Sequence, residues 1–289
     1  MSTAAPPILR TVADLRDHIA RWRREGARIG LIPTMGALHE GHLALVRRAL
    51  DAGERAVVSI FVNPTQFGPN EDFAAYPRRE ADDVAKLAAI GGHLVWAPVL
   101  EEMYPEGFAT HIAVSGLTDG LCGPFRPGHF QGVATVVTKL LLQVLPDRAY
   151  FGEKDYQQLQ VVRRMVRDLN IPTEIVGVPT VREADRLALS SRNVYLSPEE
   201  RRIAAMLPQV MRETADAALA GQVPFAELLA AAKARLAAEG FGPIDYVSIY
   251  DAERLVPVED LARPARLFVA ARIGRTRLID NIPIEASAA

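Results

Sequence analysis

Two histidines three residues apart are the first groups in this chain whose type and spacing suggest chemistry. His39 and His42 lie in the run Pro33-Thr34-Met35-Gly36-Ala37-Leu38-His39-Glu40-Gly41-His42, and that spacing places both on one helical face. The run joins a short apolar segment bounded by Gly and Pro (residues 28–33) to one with apolar residues at 43, 46 and 50 (residues 41–51). It therefore reads as a strand-to-helix turn at the carboxyl edge of a sheet, where ligands bind in open α/β folds. A helix start offers unpaired N–H groups and a positive dipole end, both suited to phosphate. Gly41 lets a nucleotide approach the backbone with no Cβ in the way.

Four other segments carry polar groups near predicted strand ends or loops. In Ser59-Ile60-Phe61-Val62-Asn63-Pro64-Thr65-Gln66-Phe67 the Asn63 and Gln66 amides can donate and accept, which suits a substrate bearing hydroxyl and carboxylate groups. Turn chemistry around Asn-Pro is the alternative. In Gly152-Glu153-Lys154-Asp155-Tyr156-Gln157-Gln158, Lys154 is a candidate phosphate ligand, with Asp155 its local partner or a ribose contact. A solvated charge pair with Asp155 as a helix cap explains the same residues. In Leu187-Ala188-Leu189-Ser190-Ser191-Arg192-Asn193 the guanidinium and two hydroxyls could grip phosphate oxygens, or the segment could be a polar linker. Gly123-Pro124-Phe125-Arg126-Pro127-Gly128-His129-Phe130 reads as a stiff loop that either lines a site or is purely structural.

The elements that must position these groups follow from hydrophobic periodicity. Strands are predicted at 28–33, 56–62, 93–96, 111–114, 148–151 and 174–181, and helices at 15–24, 41–51, 82–89, 133–144 and 156–169. This alternation argues for an α/β domain with a parallel sheet covered on both faces. After about Leu187 the pattern changes. Ser197-Pro198-Glu199-Glu200 signals a capped helix start. Ala-rich helices are predicted at 198–220 and 224–239, then strands at 245–250, 266–271 and 277–280. The expected division is 1–187 for the parallel-sheet domain and 188–289 for a smaller α+β domain.

Bulk properties limit the function classes. The 289 residues are 49% hydrophobic and 24% charged, with a net charge of −2. That balance argues against a nucleic-acid coat or a polybasic membrane surface. The single cysteine, Cys122, forms no internal disulfide and, with six scattered histidines, makes no structural zinc pattern; it reads as an inert small residue. Residues 1–7 show no basic and apolar signal pattern. The longest apolar stretch, 133–145, is too short to span a bilayer and contains Lys139 and Gln143. The expectation is a cytoplasmic protein with no membrane partner.

Taken together, segments 32–46, 59–78, 123–139, 151–158, 187–196 and 271–281 resemble the pantothenate synthetase (pantoate–β-alanine ligase) family, in the family's order over nearly the whole chain. That family shares an ATP-binding superfamily with class I aminoacyl-tRNA synthetases and nucleotidylyltransferases, in which His-x-Gly-His and a later loop grip the triphosphate. The resemblance implies a Rossmann-like first domain that binds ATP and pantoate. It implies an AMP-forming ligase that makes pantothenate through a pantoyl adenylate, with ATP and Mg²⁺, as a homodimer. Met35, Gly36, Ala37, Leu38, His39, Glu40, Gly41 and His42 would line the ATP site, with His42 in a proton-donor role. Gly152, Glu153, Lys154, Asp155, Val181, Leu189, Ser190, Ser191 and Arg192 match further ATP positions. The implied catalytic team is His39, His42, Lys154 and Arg192.

By the same resemblance Gln66 would touch pantoate and β-alanine, and Gln158 would bind pantoate. Asn63 and Tyr76 are further site candidates, the 63–76 loop is a candidate lid, and no side chain is singled out as a metal ligand. One departure stands out: Arg186 occupies the position of a glycine that usually precedes the Leu-Ala before the two serines. A nucleotidylyltransferase of the same superfamily would share the histidines but not need the Gln66 and Gln158 pair. A tRNA synthetase would need an anticodon domain and a basic surface, and a nucleotide sensor would release no diphosphate.

Overall fold

A computed structural model describes residues 5–69 and 71–285. Met1 to Ala4, where the reading of the N-terminus begins, and Asn70, within the candidate lid, lie outside the described residues. In chain order the elements are β1 (Ile8–Leu9), α1 (Val12–Arg24), β2 (Ile29–Thr34), α2 (Glu40–Asp51), β3 (Arg55–Ile60), α3 (Glu80–Ala89), β4 (Leu94–Trp96), α4 (Leu100–Met103), α5 (Cys122–Phe125), α6 (His129–Val144), β5 (Arg148–Gly152), α7 (Tyr156–Asp168) and β6 (Glu174–Val178). Then come α8 (Pro198–Ala204), α9 (Met206–Ala220), α10 (Phe225–Ala238), β7 (Ile244–Asp251), β8 (Ala265–Ile273) and β9 (Thr276–Ile284). Two compact units emerge. One comprises Met1–Val114, Arg126–Glu153 and Gln158–Pro179; the other comprises Ser115–Phe125, Lys154–Gln157 and Thr180–Ala289.

The first unit is built on a six-stranded parallel sheet in the order β1-β4-β3-β2-β5-β6. The chain works outward from β2 through β3 to β4, then returns to the other side of β2 to lay down β5 and β6. The β2/β5 boundary is thus the topological switch point, where open α/β sheets place their ligands. The ladders sharpen this. β2 pairs with β3 from Ile29↔Arg55 to Thr34↔Ile60, but with β5 only at Gly30↔Arg148 and Leu31↔Ala149. β5 stays paired with β6 as far as Gly152↔Val178. Beyond Leu31 the β2–β5 ladder ends, so the two halves of the sheet are no longer paired at their carboxyl ends.

Local sequence explains the elements. Ile29, Leu31 and Ile32 of β2 are wholly buried, as a central parallel strand covered on both faces requires. Leu43, Val46 and Ala49 of α2 form the helical stripe that packs on Ile32 and Val58. Gly30 lies where α2, Glu54 and Tyr150 crowd the strand. A Cβ there would stand 2.5 Å from Glu54 Oε2 and 3.1 Å from both Ala49 Cβ and the Tyr150 ring. Glu54 is itself buried and accepts from Tyr150 Oη at 2.8 Å and Arg148 Nη1 at 3.2 Å.

The second unit packs α8, α9 and α10 against the antiparallel sheet β7-β8-β9, around Leu207, Met211, Leu236, Leu267 and Val269. Ser197 and Glu200 form the predicted capping box. The architecture is therefore the Rossmann-like parallel-sheet domain and smaller α+β domain that the pattern and the resemblance imply. Among the described residues no helix is long and apolar enough to cross a membrane.

Three local expectations are corrected. Residues 111–114 form no strand: β1 already occupies the outer edge of β4, and the Ile112 amide donates to Thr135 Oγ1 at 2.9 Å. The helix expected at 198–220 is two helices interrupted at Ala205. Pro208 has no N–H to continue the ladder back toward residue 204, so it falls in the first turn of α9. The 123–130 loop also begins inside the short helix α5.

Gly30→Ala should destabilise the protein by about 1–3 kcal/mol, the usual cost of overpacking. The check is a lower urea midpoint with an unchanged slope.

Candidate active site

The turn from β2 to α2 is held at every step. Thr34 Oγ1 donates to the Ser59 carbonyl at 2.6 Å and accepts from the Gly36 amide at 3.1 Å. Gly36 and Ala37 then take left-handed backbone angles, φ 81° and 51°. Glycine adopts that conformation freely, whereas alanine does so at a cost. Asp83 of α3, fully buried, accepts from the Ala37 amide at 2.8 Å and the Leu38 amide at 2.7 Å. Burial pushes the Asp83 carboxyl above its ordinary value, against the pull of those two amides and Lys86. Lys86 Nζ donates to the Leu38 carbonyl at 2.6 Å.

His39 and His42 cap α2 reciprocally. The Gly41 amide donates to His39 Nδ1 at 3.1 Å, and the His39 amide donates to His42 Nδ1 at 3.3 Å. An Nδ1 that accepts carries no proton, so each neutral ring bears its hydrogen on Nε2. The ring centroids are 4.1 Å apart, with the planes tilted by 36°. This revises the expectation that the helix-start amides are unpaired. The Gly41 amide is engaged by His39, and the His42 amide donates to the His39 carbonyl at 2.8 Å. The cap itself uses the Nδ1 of each ring and not its Nε2.

Gln66 closes a single 3-10 turn, Pro64–Gln66, after β3. Its side-chain oxygen accepts from Asn63 Nδ2 at 3.0 Å, and its Nε2 reaches Met35 Sδ at 3.3 Å. Asn63 is almost completely buried. Its Nδ2 also donates to the Gly132 carbonyl, and its Oδ1 accepts from Thr65 Oγ1 at 3.0 Å and Tyr104 Oη at 2.8 Å. The structure thus sets Asn63 behind Gln66 as its support. A relay reaches the other side of Gln66. Glu71 accepts two hydrogen bonds from Arg126, at 2.7 and 2.6 Å; Arg126 Nη1 donates to His129 Nε2 at 2.9 Å; His129 Nδ1–H donates to the Gln66 carbonyl at 2.9 Å. Burial opposes charge on Glu71, but the Arg126 hydrogen bonds and charge outweigh it and hold the carboxyl below its ordinary value. Tyr76 is buried against Phe67.

A cavity of about 320 Å³ adjoins this turn, with Met35, Gly36, Phe61, Val62 and Phe73 in its wall. At the carboxyl end of β5, Gly152 and Glu153 are half-buried, as is Gln158 on α7, all within the first unit. Met35, Gly36, Ala37, Leu38, His39, Glu40, Gly41, His42, Asn63, Gln66, Gly152, Glu153 and Gln158 therefore belong to one unit, around the ends of β2, β3 and β5.

Lys154, Asp155, Val181, Leu189, Ser190, Ser191 and Arg192 belong to the second unit. Lys154 Nζ lies 3.9 Å from Asp155 Oδ1, and the Lys154 carbonyl accepts from Asn281 Nδ2 at 2.9 Å. The Leu189 amide donates to the Val181 carbonyl at 3.0 Å. Ser190 caps the 3-10 turn Ser191–Tyr195, accepting the Arg192 amide at 3.2 Å. Arg182 grips buried Asp280 in a fork at 2.7 and 2.8 Å, and Arg201 clamps Glu183 and Asp185, both at 2.7 Å. Between them Arg186 adopts φ 73°, so the backbone keeps the conformation that a glycine would take there. Gln157, beside Gln158, is structural: it accepts the Cys122 amide and donates to the Leu117 and Gly120 carbonyls. Cys122 is buried next to Tyr246 Oη.

Sequence reasoning did not single out Asp83, Lys86 or the individual roles of Arg126 and His129. Each acts 45 or more residues away in the chain, or through a backbone atom, and no local motif signals that. Among the described residues no three His, Cys, Asp or Glu side chains converge as a metal cage.

Comparison with known proteins adds a separate line. A sequence model of the pantoate-beta-alanine ligase family matches residues 7–283. The chain is 59% identical over 285 residues to the pantothenate synthetase of Paramagnetospirillum magneticum, covering 99% of this chain and 100% of that protein. It is 53% identical to a crystal structure of pantothenate synthetase from Thermus thermophilus, with a TM-score of 0.91 over 97% of this chain and 100% of that one. A Francisella tularensis pantoate-beta-alanine ligase, crystallised with beta-gamma ATP and β-alanine, is 33% identical with a TM-score of 0.83, over 98% of this chain and 99% of that one.

Arg126→Ala would strand a largely buried carboxylate and should cost about 1–3 kcal/mol at pH 7. The folded Glu71 pKa is lowered, so this stabilisation is complete above the unfolded value of 4.5 and is lost as pH falls through the lowered one. Urea midpoints of the variant and the parent should therefore converge in acid. Arg186→Gly should stabilise the second unit by about 1 kcal/mol, by removing a Cβ from a left-handed residue; the check is a raised thermal midpoint.

Proposed function

The chain belongs to the pantoate-beta-alanine ligase family, and from that premise we propose that it joins pantoate to β-alanine through a pantoyl adenylate, releasing AMP and diphosphate. The pantoate carboxylate attacks the α-phosphorus of ATP. A carboxylate O–P bond forms, the bond to the bridging oxygen breaks, and diphosphate leaves. The β-alanine amine then attacks the acyl carbon, loses a proton, and AMP departs.

The nucleophile of the first step is already ionised near pH 7, so the step calls for charge neutralisation and alignment more than for a base. The observation that carries the reading is the capped histidine pair, whose Nδ1 atoms are engaged and whose protons therefore sit on Nε2. Such rings donate to phosphate without first having to change tautomer. In this reading His39 and His42 donate to the triphosphate. The resemblance assigns further ATP contacts to residues 35–42, Gly152, Glu153, Lys154, Asp155, Val181, Leu189, Ser190, Ser191 and Arg192.

Gln66 and Gln158 orient the acid substrates. The Gln66 Nε2 faces a thioether, a weak acceptor that a carboxylate can displace. Mg²⁺ typically binds through substrate phosphates and waters with few protein ligands, and when bound it would neutralise phosphate charge. The bound ligands of the Francisella protein support ATP and β-alanine as ligands here. Homodimeric assembly and residence in the cytoplasm are carried over from the resemblance.

Pantoate-dependent exchange of diphosphate into ATP should occur without β-alanine; exchange that requires β-alanine would exclude the adenylate scheme. His42→Ala should lose about 10²–10³ in exchange rate with an unchanged circular dichroism spectrum, and a wild-type rate would remove His42 from the site.

A further inference from the structure

We propose that Asp83 and Lys86 of α3 are positioning residues that set the ATP-binding turn, clamping its backbone so that His39 and His42 are held in register. The inference rests on the reading of that turn as the ATP site. Neither side chain belongs to the turn, and both come from a helix more than forty residues further along the chain.

The clamp works on successive peptide groups. Asp83 Oδ2 takes the Ala37 amide and Oδ1 the Leu38 amide, so one carboxylate fixes two neighbouring peptide planes. Those planes lie on either side of left-handed Ala37, one of them joining it to left-handed Gly36, and a non-glycine residue keeps that conformation only where its surroundings enforce it. The turn also lies tight on the carboxylate: a Cβ on Gly36 would come within 3.1 Å of Asp83 Oδ2. Lys86 holds the next peptide. It donates to the Leu38 carbonyl at 2.6 Å, and the amide of that same peptide, His39 N–H, donates to His42 Nδ1. One peptide thus has Lys86 at one end and the His42 ring at the other. Because that ring's Nδ1 is engaged through this peptide, the direction of its Nε2–H depends on Lys86 and Asp83.

A side chain with only one acceptor oxygen could not replace Asp83. In Asp83→Asn one amide N–H would face an NH₂ group. Lys86 is part-exposed, so Lys86→Met removes the donor without burying a charge. The test measures diphosphate exchange and the KM values for ATP and pantoate. Asp83→Asn should raise the ATP KM at least tenfold and Lys86→Met about threefold to fivefold, with the pantoate KM within twofold of the parent. Adding Ala37→Gly to Asp83→Asn should recover part of the ATP KM, since glycine takes the left-handed angle unaided; a general loss of fold would not be rescued this way.

If Asp83→Asn does not fold, Lys86→Met decides. Folded variants with parental ATP KM and exchange rate overturn the clamp, as does an equal rise in both KM values. A parent enzyme without pantoate-dependent exchange would instead overturn the reading on which the clamp rests.

Discussion

The site depends on an unequal pairing of one strand. β2 remains hydrogen-bonded to β3 through Thr34, but its ladder to β5 ends at Leu31. Open α/β sheets bind ligands at the carboxyl ends of strands that part in this way. The β2–α2 turn and the segment that follows β3 line one cavity at this edge of the sheet, and Gly152 and Glu153 lie at the carboxyl end of β5. The wholly buried strand and the crowding of Gly30 against Ala49, Glu54 and Tyr150 fix the register below it. This edge of the sheet therefore lies above a floor with no room to shift.

Above the floor, polar side chains are mostly used to hold other polar side chains. Asn63 engages both ends of its amide to fix Gln66, the Glu71–Arg126–His129 relay fixes the Gln66 backbone, and the two histidines together cap the start of α2. A side chain with satisfied neighbours loses little rotamer freedom on binding, and preorganised donors stabilise developing charge more effectively than mobile ones. In the second unit the same principle operates with charges. The Arg182–Asp280 fork and the Arg201 clamp hold the loop that presents Ser190 to Arg192. That support explains how Arg186 tolerates a glycine-like backbone angle: the flanking ion pairs over-determine the turn.

Some of this was legible in the residues. The parallel-sheet class followed from strand and helix periods, because buried strands and amphipathic helices impose distinct hydrophobic repeats. The α2 stripe at 43 and 46 and the Ser197–Glu200 cap are local, and they were readable for that reason. The strand expected at 111–114 failed because strand character requires a neighbour, and β1 had taken the edge of β4. The helix break before Pro208 was written in the sequence but was masked by the Ala-rich composition around it.

The sequence by itself determined the family, the order of secondary elements and the histidine pair at a helix start, since each rests on residue identity and short spacing. Only the tertiary structure decided which atoms of that pair can donate. The His39 Nδ1 accepts from the Gly41 amide, and the His42 Nδ1 from a peptide whose carbonyl Lys86 holds, next to the two peptides that Asp83 clamps; no local motif connects Asp83 or Lys86 to the pair. It also separated neighbours of one chemical type, placing Gln157 in a structural bond network and Asn63 behind Gln66. Hydrogen-bond partners brought together across tens of residues depend on how the sheet folds the chain back on itself, and local spacing carries no record of that.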